Sequence, residues 1–591
     1  MAHFVLIDRL LAGVGGHNFQ YAVDVLQAAE AVGYEPVLAA RTSFDAASDL
    51  PANWKLRTLF KYGWTRRHMA GVDGTSRRAI GTDARPIHAP STSKSKAFWK
   101  DLLDFPKRRD REKHIEDLAG GCDVLFDELG FHAGDRIFVP TISEFDLLGL
   151  TRFLARKPES AKVAWHLQFH FDIFFGREPD YASQVKRKSL LRSQFAAALA
   201  ELPDHQLHFY ATTPQVAAQY NQLAIADFTP LPYPVSGALV DSPPQQEAPE
   251  SEPQGPLRIT LAGAMRREKG KRALAPVVDE LSDLLNDGEA QIWIQSSGRK
   301  VERFLNPPWK SALEYHDEIP RNPQGPLVAV TNALDREQYL RLIKHAQIGL
   351  FLYDSQRYHS RCSGILVEML AAGVPVIVPA GCWLSEQIQG PIYEHLQGHR
   401  EQYAPSWVQL EQPTWVGGSV RSAEVTCTVA EGTRAVLCSV ATPDELRQGH
   451  HMRIEAHLLD AAGDPVSEPQ VTILGQAAGL TQVRALFRPV AGTHTLQLRI
   501  SNAYHDAELA IQAVEMAGYC EDRRALPAGQ IGLICAEANQ APRLIRELID
   551  AYEHYRDTAA TFSVNWSHQH APLRTVEMLE SRHALANERV A

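Results

Sequence analysis

The stretch that organises the chain runs Tyr353-Asp354, then Tyr358-His359-Ser360-Arg361-Cys362-Ser363-Gly364-Ile365-Leu366-Val367-Glu368, and closes with Ala371-Ala372-Gly373-Val374-Pro375-Val376-Ile377-Val378-Pro379. The apolar run Ile348 to Tyr353 reads as a buried strand and the polar residues after it as a loop. Ser363 opens a helix that Gly373 stops before the next strand. A helix that begins with Ser-Gly after a loop offers backbone N–H groups and its positive dipole end to a phosphate. Arg361 stands just ahead of it. Glu368, four residues after Gly364 and three after Ile365, shares their face about 6 Å along the axis. That span suits a diphosphate at the helix tip and ribose hydroxyls at the carboxylate. The plain alternative is one solvated glutamate on an ordinary helix, although the surrounding ILVEMLAAG is largely apolar.

Upstream, the strand Leu257 to Gly263 runs directly into Gly263-Ala264-Met265-Arg266-Arg267-Glu268-Lys269-Gly270. Glycine lets backbone approach a ligand, and clustered Arg and Lys neutralise a diphosphate. Further buried-strand patterns at Gln291–Ile294, Leu327–Val330, Pro375–Pro379 and Gly532–Cys535 alternate with helical ones, as in a doubly wound α/β domain.

The N-terminal half repeats this grammar. Phe4–Ile7 is a strand, Gly13-Val14-Gly15-Gly16-His17 a glycine-rich loop, and Phe19, Ala22, Val23, Leu26 and Ala29 fall at helical spacing. Strands are expected at Pro36–Ala40, Val124–Phe126, Arg136–Pro140, Val163–Trp165 and Leu207–Tyr210. Two such sheets suggest a cleft between them. Gly15, Gly16 and His17 follow the first strand, at the carboxyl end where open α/β sheets bind ligands. His166 and His170, in VAWHLQFHFDIFFG, follow another strand; for each the alternative is a hydrogen-bonded core histidine.

Residues 236–256 carry almost no large apolar side chain and read as a Pro/Glu/Gln-rich linker. From about Pro413 the pattern becomes VTCTV, AVLCSV, RIEAHLL, VTILG, VRALF, TLQLRI and AELAIQAV, with turn signals at Glu431-Gly432 and Gly463-Asp464. Short alternating runs of this kind predict an all-β, jelly-roll-like sandwich. APRLIRELIDAYEHYR then reads as an amphipathic helix. The expected division is an acceptor domain over 1–235, the linker 236–256, a donor domain over 257–410, an inserted β-sandwich over 411–520, and donor-domain completion over 521–591. Between Val416 and Gly518 only Phe487 and Tyr504 are aromatic, which favours a structural or partner-contact role for the β module over a sugar-binding one.

The 591 residues are 45% hydrophobic and 22% charged, an ordinary globular composition that excludes disordered, collagen-like and coiled-coil classes. The net charge of −10 argues against a nucleic-acid partner. It hides a basic insertion expected over 55–113, where 16 Lys and Arg face six acids. That stretch suits either a solvated lobe or peripheral contact with an anionic membrane. Seven scattered cysteines without a Cys-x-x-Cys pair fit a reducing cytoplasm, and Asp8 and Arg9 interrupt any signal-peptide core. The His and acid residues lack the clustered spacing of zinc ligands, so no metal is expected.

The pair GAMRREKG and SGILVEMLAAGVPVIV, in this order, resembles the retaining nucleotide-sugar glycosyltransferases of family four, which have the GT-B fold. The opening GVGGHNFQYAVDVLQAAEAVGYEPVLAA is similar to that family's first loop and helix. The resemblance implies two Rossmann-like domains facing across a cleft, a nucleotide-diphosphate-sugar co-substrate and no cofactor; a basic lobe lying on anionic lipid would suit such an enzyme extending a lipid-linked glycan at the inner membrane face. The acceptor would be a glycan or lipid-linked glycan of bacterial surface polysaccharide. It gives Arg266 and Lys269 the donor diphosphate, with Gly263, Arg267 and Arg361 beside them, and Ser363, Gly364 and Ile365 the phosphate-binding helix start. Glu368 takes the ribose and His166 a place beside the donor sugar. Two positions depart from the family pattern: Ser360 stands where another Glu is usual, and Ala264 where an Arg is usual. These motivate a rival reading, a catalytically silent scaffold that binds nucleotide sugar or glycan, with the β module for interaction.

Overall fold

The computed structural model describes residues 2–13, 17–45, 47–62, 94–173, 181–239, 255–296, 298–331, 334–358, 360–379, 382–388, 414–416, 422–433, 435–441, 451–475, 482–502, 509–511, 513–519, 531–535 and 538–590. The first sheet comprises β1 (His3–Asp8), β2 (Glu35–Arg41), β3 (Lys55–Phe60), β4 (Arg136–Ile142), β5 (Ala164–Phe169), β6 (Gln206–Ala211) and β7 (Phe228–Pro230), in the order β3-β2-β1-β4-β5-β6-β7. The pairings of β1 with β2 and β4, of β2 with β3 and of β6 with β7 are parallel. Its helices are α1 (His17–Ala31), α2 (Lys94–Leu129), α3 (Glu144–Arg156), α4 (Tyr181–Ala200) and α5 (Pro214–Asn221). The start of α3 is chemically specified: Ser143 Oγ accepts from the N–H groups of Phe145 and Asp146, and the Asp146 carboxylate accepts from Ser143 N.

Two expectations change here. Val124–Phe126 is not a strand but part of α2, with Val124 47% exposed and Leu125 and Phe126 buried. Three adjacent apolar residues fit either structure, and only the register of a long helix separates them. The basic stretch 55–113 is not a single insertion, because its first six residues form β3 inside the sheet and its end lies in α2. Residues 63–93 lie outside the described residues.

The second sheet comprises β8 (Leu257–Leu261), β9 (Ala290–Gln295), β10 (Leu313–His316), β11 (Leu327–Val330), β12 (Ile348–Leu350), β13 (Val376–Pro379) and, after a long excursion, β23 (Gly532–Cys535). Its order is β10-β11-β9-β8-β12-β13-β23, and every pairing is parallel. β12 is shorter than expected: beyond Leu350 the chain bends into a loop, and Asp354 N donates to Glu268 O at 3.0 Å. The helices α6 (Arg336–Lys344) and α7 (Gly364–Ala371) flank it, followed at the C-terminal end by α8 (Ala541–Asp550), α9 (Tyr552–Gln569) and α10 (Pro572–Val590). The helix expected from Ala541 through Arg556 is broken at Ala551 between α8 and α9.

Between β13 and β23 lie β14 (Thr414–Val416), β15 (Ala423–Thr428), β16 (Ala435–Ala441), β17 (His451–Leu459), β18 (Gln470–Gly475), β19 (Gln482–Phe487), β20 (Thr495–Asn502), β21 (Leu509–Ile511) and β22 (Ala513–Tyr519). They form antiparallel sheets ordered β15-β20-β17-β18 and β19-β16-β22, plus the pair β14-β21. In β17 the residues Met452, Ile454, Ala456 and Leu458 are fully buried while the alternate Arg453, Glu455 and His457 are not, the period-two pattern of a half-buried strand. Val425, Ile454 and Leu498 of the four-stranded sheet share one core with Cys438, Phe487 and Met516 of the three-stranded one. Phe487 is 1% exposed, so this aromatic offers no face to a sugar. Tyr504 lies outside the described residues.

The chain divides into two compact units, one of residues 1–13, 30–168 and 182–208, the other of 14–29, 169–181 and 209–591. The division does not follow the boundary expected at 235, because 14–29, 169–181 and 209–235 group with the second sheet. Residues 240–254 of the expected linker lie outside the described residues, and before them Leu239 is buried.

Candidate functional site

The second unit assembles a site where the order of its sheet reverses, between β8 and β12. Gly263, just past β8, has φ +82, and its N–H donates to Gln295 Oε1 at 2.6 Å. A Cβ there would meet Ile365 Cδ1 at 2.3 Å and Lys269 Nζ at 2.7 Å. A side chain is opposed by the left-handed backbone, and its Cβ would push aside the ends of Ile365 and Lys269. The 3-10 turn Arg267–Lys269 follows, with Arg266 as its cap and Gly270 at φ +79. At Gly270 a Cβ would meet the carbonyl oxygen of Leu352 at 2.2 Å, so the loop after β8 packs directly on the loop after β12. Lys269 Nζ lies 5.1 Å from the centroid of the Tyr353 ring, and burial lowers the pKa of its ammonium. Arg266 and Arg267 are exposed beside it.

Ser363 caps α7, its Oγ accepting from Leu366 N. Gly364 and Ile365 follow as the first helical residues, whose N–H groups have no acceptor within the helix. A Cβ on Gly364 would stand 2.8 Å from Tyr233 Cζ, so only glycine lets Tyr233 cover this turn. The far end of α7 is held from behind: Trp566 Nε1 donates to Val367 O at 3.0 Å, and at Gly373, φ +69, a Cβ would meet Ala560 Cα at 3.1 Å. Arg361 lies over the rings of Tyr358 and Phe171, at 5.4 and 5.5 Å.

Glu368 is 5% exposed and accepts a hydrogen bond from the Tyr339 hydroxyl. Burial pushes its pKa from 4.5 up to about 7; Tyr339 and the charge of Lys269 lower it, while Asp24 raises it further. Asp24, from α1, is itself raised from 3.8 to about 7 by burial, against the pull of Arg336, whose guanidinium is 3.8 Å away, and of Gln20. Two carboxyls from distant parts of the chain are thus both largely desolvated and feel each other's charge, poised to change charge near neutrality.

Of the residues singled out by sequence, Gly263, Lys269, Ser363, Gly364, Ile365 and Glu368 converge here, with Arg266, Arg267 and Arg361 around them. His170 immediately follows β5, in the same unit as the site, its ring 5.9 Å from that of Phe171, on which Arg361 rests. His166 belongs to the first unit, fully buried within β5, its ring stacked at 5.0 Å on that of His208. Gly15 and Gly16 lie outside the described residues; His17 opens α1. Ser360, where the family pattern has a carboxylate, is fully buried, and its Oγ accepts from Gln219 Nε2 at 3.1 Å while its carbonyl accepts from Thr213 Oγ1 at 2.6 Å. Sequence reasoning missed Asp24, Tyr339 and Arg336. Asp24 gave no local signal, because on α1 it shares a face with Gln20 and Gln27, away from the apolar Phe19, Ala22, Val23, Leu26 and Ala29.

No family model matches the chain, and no curated protein matches it in sequence. Similar solved structures include a sucrose-phosphate synthase from Thermosynechococcus elongatus, 14% identical over 66% of this chain and 84% of that one, with a TM-score of 0.36. A UDP-forming α,α-trehalose-phosphate synthase from Burkholderia xenovorans is 12% identical over 66% and 87%, at a TM-score of 0.39. WaaG, a glycosyltransferase involved in lipopolysaccharide biosynthesis, is 13% identical over 65% and 83%, at 0.37.

Proposed function

We propose that the chain is a glycosyltransferase that moves a sugar, with retention, from a nucleotide-diphosphate-sugar donor to a glycan or lipid-linked acceptor. The setting is the assembly of a bacterial surface polysaccharide on the cytoplasmic side of a membrane. The observation that carries this reading is the junction at Gly263, φ +82, which brings the ends of Lys269 and Ile365 together beside the capped start of α7. It supports a diphosphate lying against the N–H groups of Gly364 and Ile365, with Lys269 and Arg266 neutralising its charge. Glu368, further along the same helix, accepts the ribose hydroxyls, and Tyr339 keeps its carboxylate oriented.

In the reaction the bond from the anomeric carbon to the diphosphate oxygen breaks as the acceptor oxygen bonds to that carbon from the same face. The departing phosphate oxygen takes the acceptor's proton. The side chains orient the donor and stabilise the leaving charge rather than supply a nucleophile, and no metal is needed at the donor site.

Incubation with UDP-, GDP- and ADP-sugars should release free nucleotide from one donor class, and Glu368→Ala should weaken binding of that donor. Absence of turnover with every donor, together with unchanged affinity in Glu368→Ala, would overturn the assignment. The rival reading, a silent donor-binding scaffold, is favoured by Ser360, which Gln219 and Thr213 hold where a second carboxylate would act. It predicts that a donor binds and is never cleaved.

A further inference from the structure

A second constellation lies in the first unit, at the amino ends of its strands. His3 begins β1, Asp135 immediately precedes β4, and His132 belongs to the turn between α2 and Asp135. His3 Nδ1 is 3.4 Å from Asp135 Oδ1, His132 Nδ1 is 3.4 Å from Asp135 Oδ2, and the two imidazole rings are 5.5 Å apart between centroids. One donor atom from each of the three residues lies within 4.8 Å of the others. Ligands held about 2.0–2.2 Å from a tetrahedral ion stand roughly 3.3–3.5 Å from one another, and each His–Asp separation has that length, one to each oxygen of Asp135, so a small turn of the exposed His132 would close the polyhedron.

The supporting contacts are those a metal site needs. The side chain of His3 is 9% exposed, and its Nδ1 has no hydrogen-bond partner although it is buried and faces the carboxylate. Its Nε2 lies 3.4 Å from Glu35 Oε2, and Glu35 in turn is paired with Lys55 at 2.7 Å. A carboxylate behind a ligating imidazole fixes the proton on the outer nitrogen and leaves the inner lone pair for the ion. Lys55 Nζ is also 3.2 Å from that Nε2; an ion at Nδ1 would commit the Nε2 proton to Glu35. Asp135 is oriented on both oxygens, Oδ1 accepting from His3 N at 2.8 Å and Oδ2 from His132 N at 3.0 Å. Each oxygen keeps a further lone pair. His132 is 59% exposed on its side chain, which gives an ion a path in from solvent.

We propose that His3, His132 and Asp135 bind a late first-row divalent cation of the zinc type, with water completing the coordination. Two imidazoles and one carboxylate suit such an ion better than magnesium or calcium. The site is structural: it ties the start of β1 to the turn that delivers β4, which sit side by side in the sheet. All of its residues belong to the first unit.

The test is Zn2+ titration of the untagged, metal-stripped full chain, read by calorimetry and by the thermal midpoint. One equivalent should bind and raise the midpoint. His132→Ala, at an exposed position that folding tolerates, and Asp135→Asn should each weaken that site about tenfold or more. His494→Ala, an exposed histidine in the β module, should leave it unchanged. Absence of a stoichiometric site, or a site of equal affinity in His132→Ala and the unsubstituted chain, overturns the proposal. With Co2+ in place of Zn2+, the intense visible bands of a four-coordinate ion should appear in the unsubstituted chain and vanish in His132→Ala.

Discussion

Both sheets have a point where strand order reverses, and the chain treats the two differently. In the first sheet, between β1 and β4, the position is filled by the protein itself. Arg9, 3% exposed, donates to Asp146 at 2.5 Å, to Tyr62 O at 2.8 Å and to His114 O at 3.3 Å, while the preceding Asp8 is pushed up to about 6 by burial. In the second sheet, between β8 and β12, the equivalent position carries Gly263, Lys269, the capped start of α7 and Glu368. A guanidinium already paired to a buried carboxylate has its hydrogen bonds spent. Lys269, half-buried beside a left-handed glycine, lies 5.1 Å from the Tyr353 ring centroid. Topology offers a crevice at both places, and residue chemistry decides which one can receive an anionic ligand.

This contrast can be broken by substitution. The largest effect should come from Arg9→Ala, which strands Asp146 as an unpaired buried charge and should cost about 3–5 kcal/mol in urea unfolding. Nucleotide affinity measured on the fraction that remains folded should stay unchanged. Glu368→Gln should act in the opposite direction on stability. Because burial raises the carboxyl from 4.5 to about 7, the native state holds a proton that the unfolded chain has released between those values. Stability therefore falls as pH climbs from about 4.5 to about 7, and the amide removes that loss. The variant should gain up to about 3 kcal/mol at pH 8 and little at pH 4, while binding donor more weakly.

Lys269→Ala should reduce donor affinity by about 1.5–3 kcal/mol without lowering the thermal midpoint, since burial already opposes the ammonium. Gly263→Ala should cost about 1–3 kcal/mol in thermal unfolding from its left-handed backbone. By displacing Lys269 Nζ and Ile365 it should also weaken the donor. Equal losses of donor affinity in Arg9→Ala and Lys269→Ala would erase the distinction between the two positions.

Much of the second sheet was legible before any coordinates. Its strands stand out as apolar runs between glycines, and Ser363 announces the start of α7, because periodicity and capping act over a few residues. The same reading mistook Val124–Phe126 for a strand and took the basic stretch to begin outside the sheet, since short runs lack the length that distinguishes a helix and charge says nothing of pairing. Ser360 was visible as a departure, whereas its anchoring by Gln219 and Thr213, some 140 residues upstream, was not.

Local chemistry along the chain thus specified the alternation of strands and helices, the glycine at 263 and the serine cap. Through-space proximity did the rest. It set Asp24 against Glu368 and raised both acids towards neutrality, and it brought His3 to Asp135 across a separation of 132 residues. Hydrogen bonds and charges act over a few ångströms, and which residues come within that distance depends on how the sheets stack their strands.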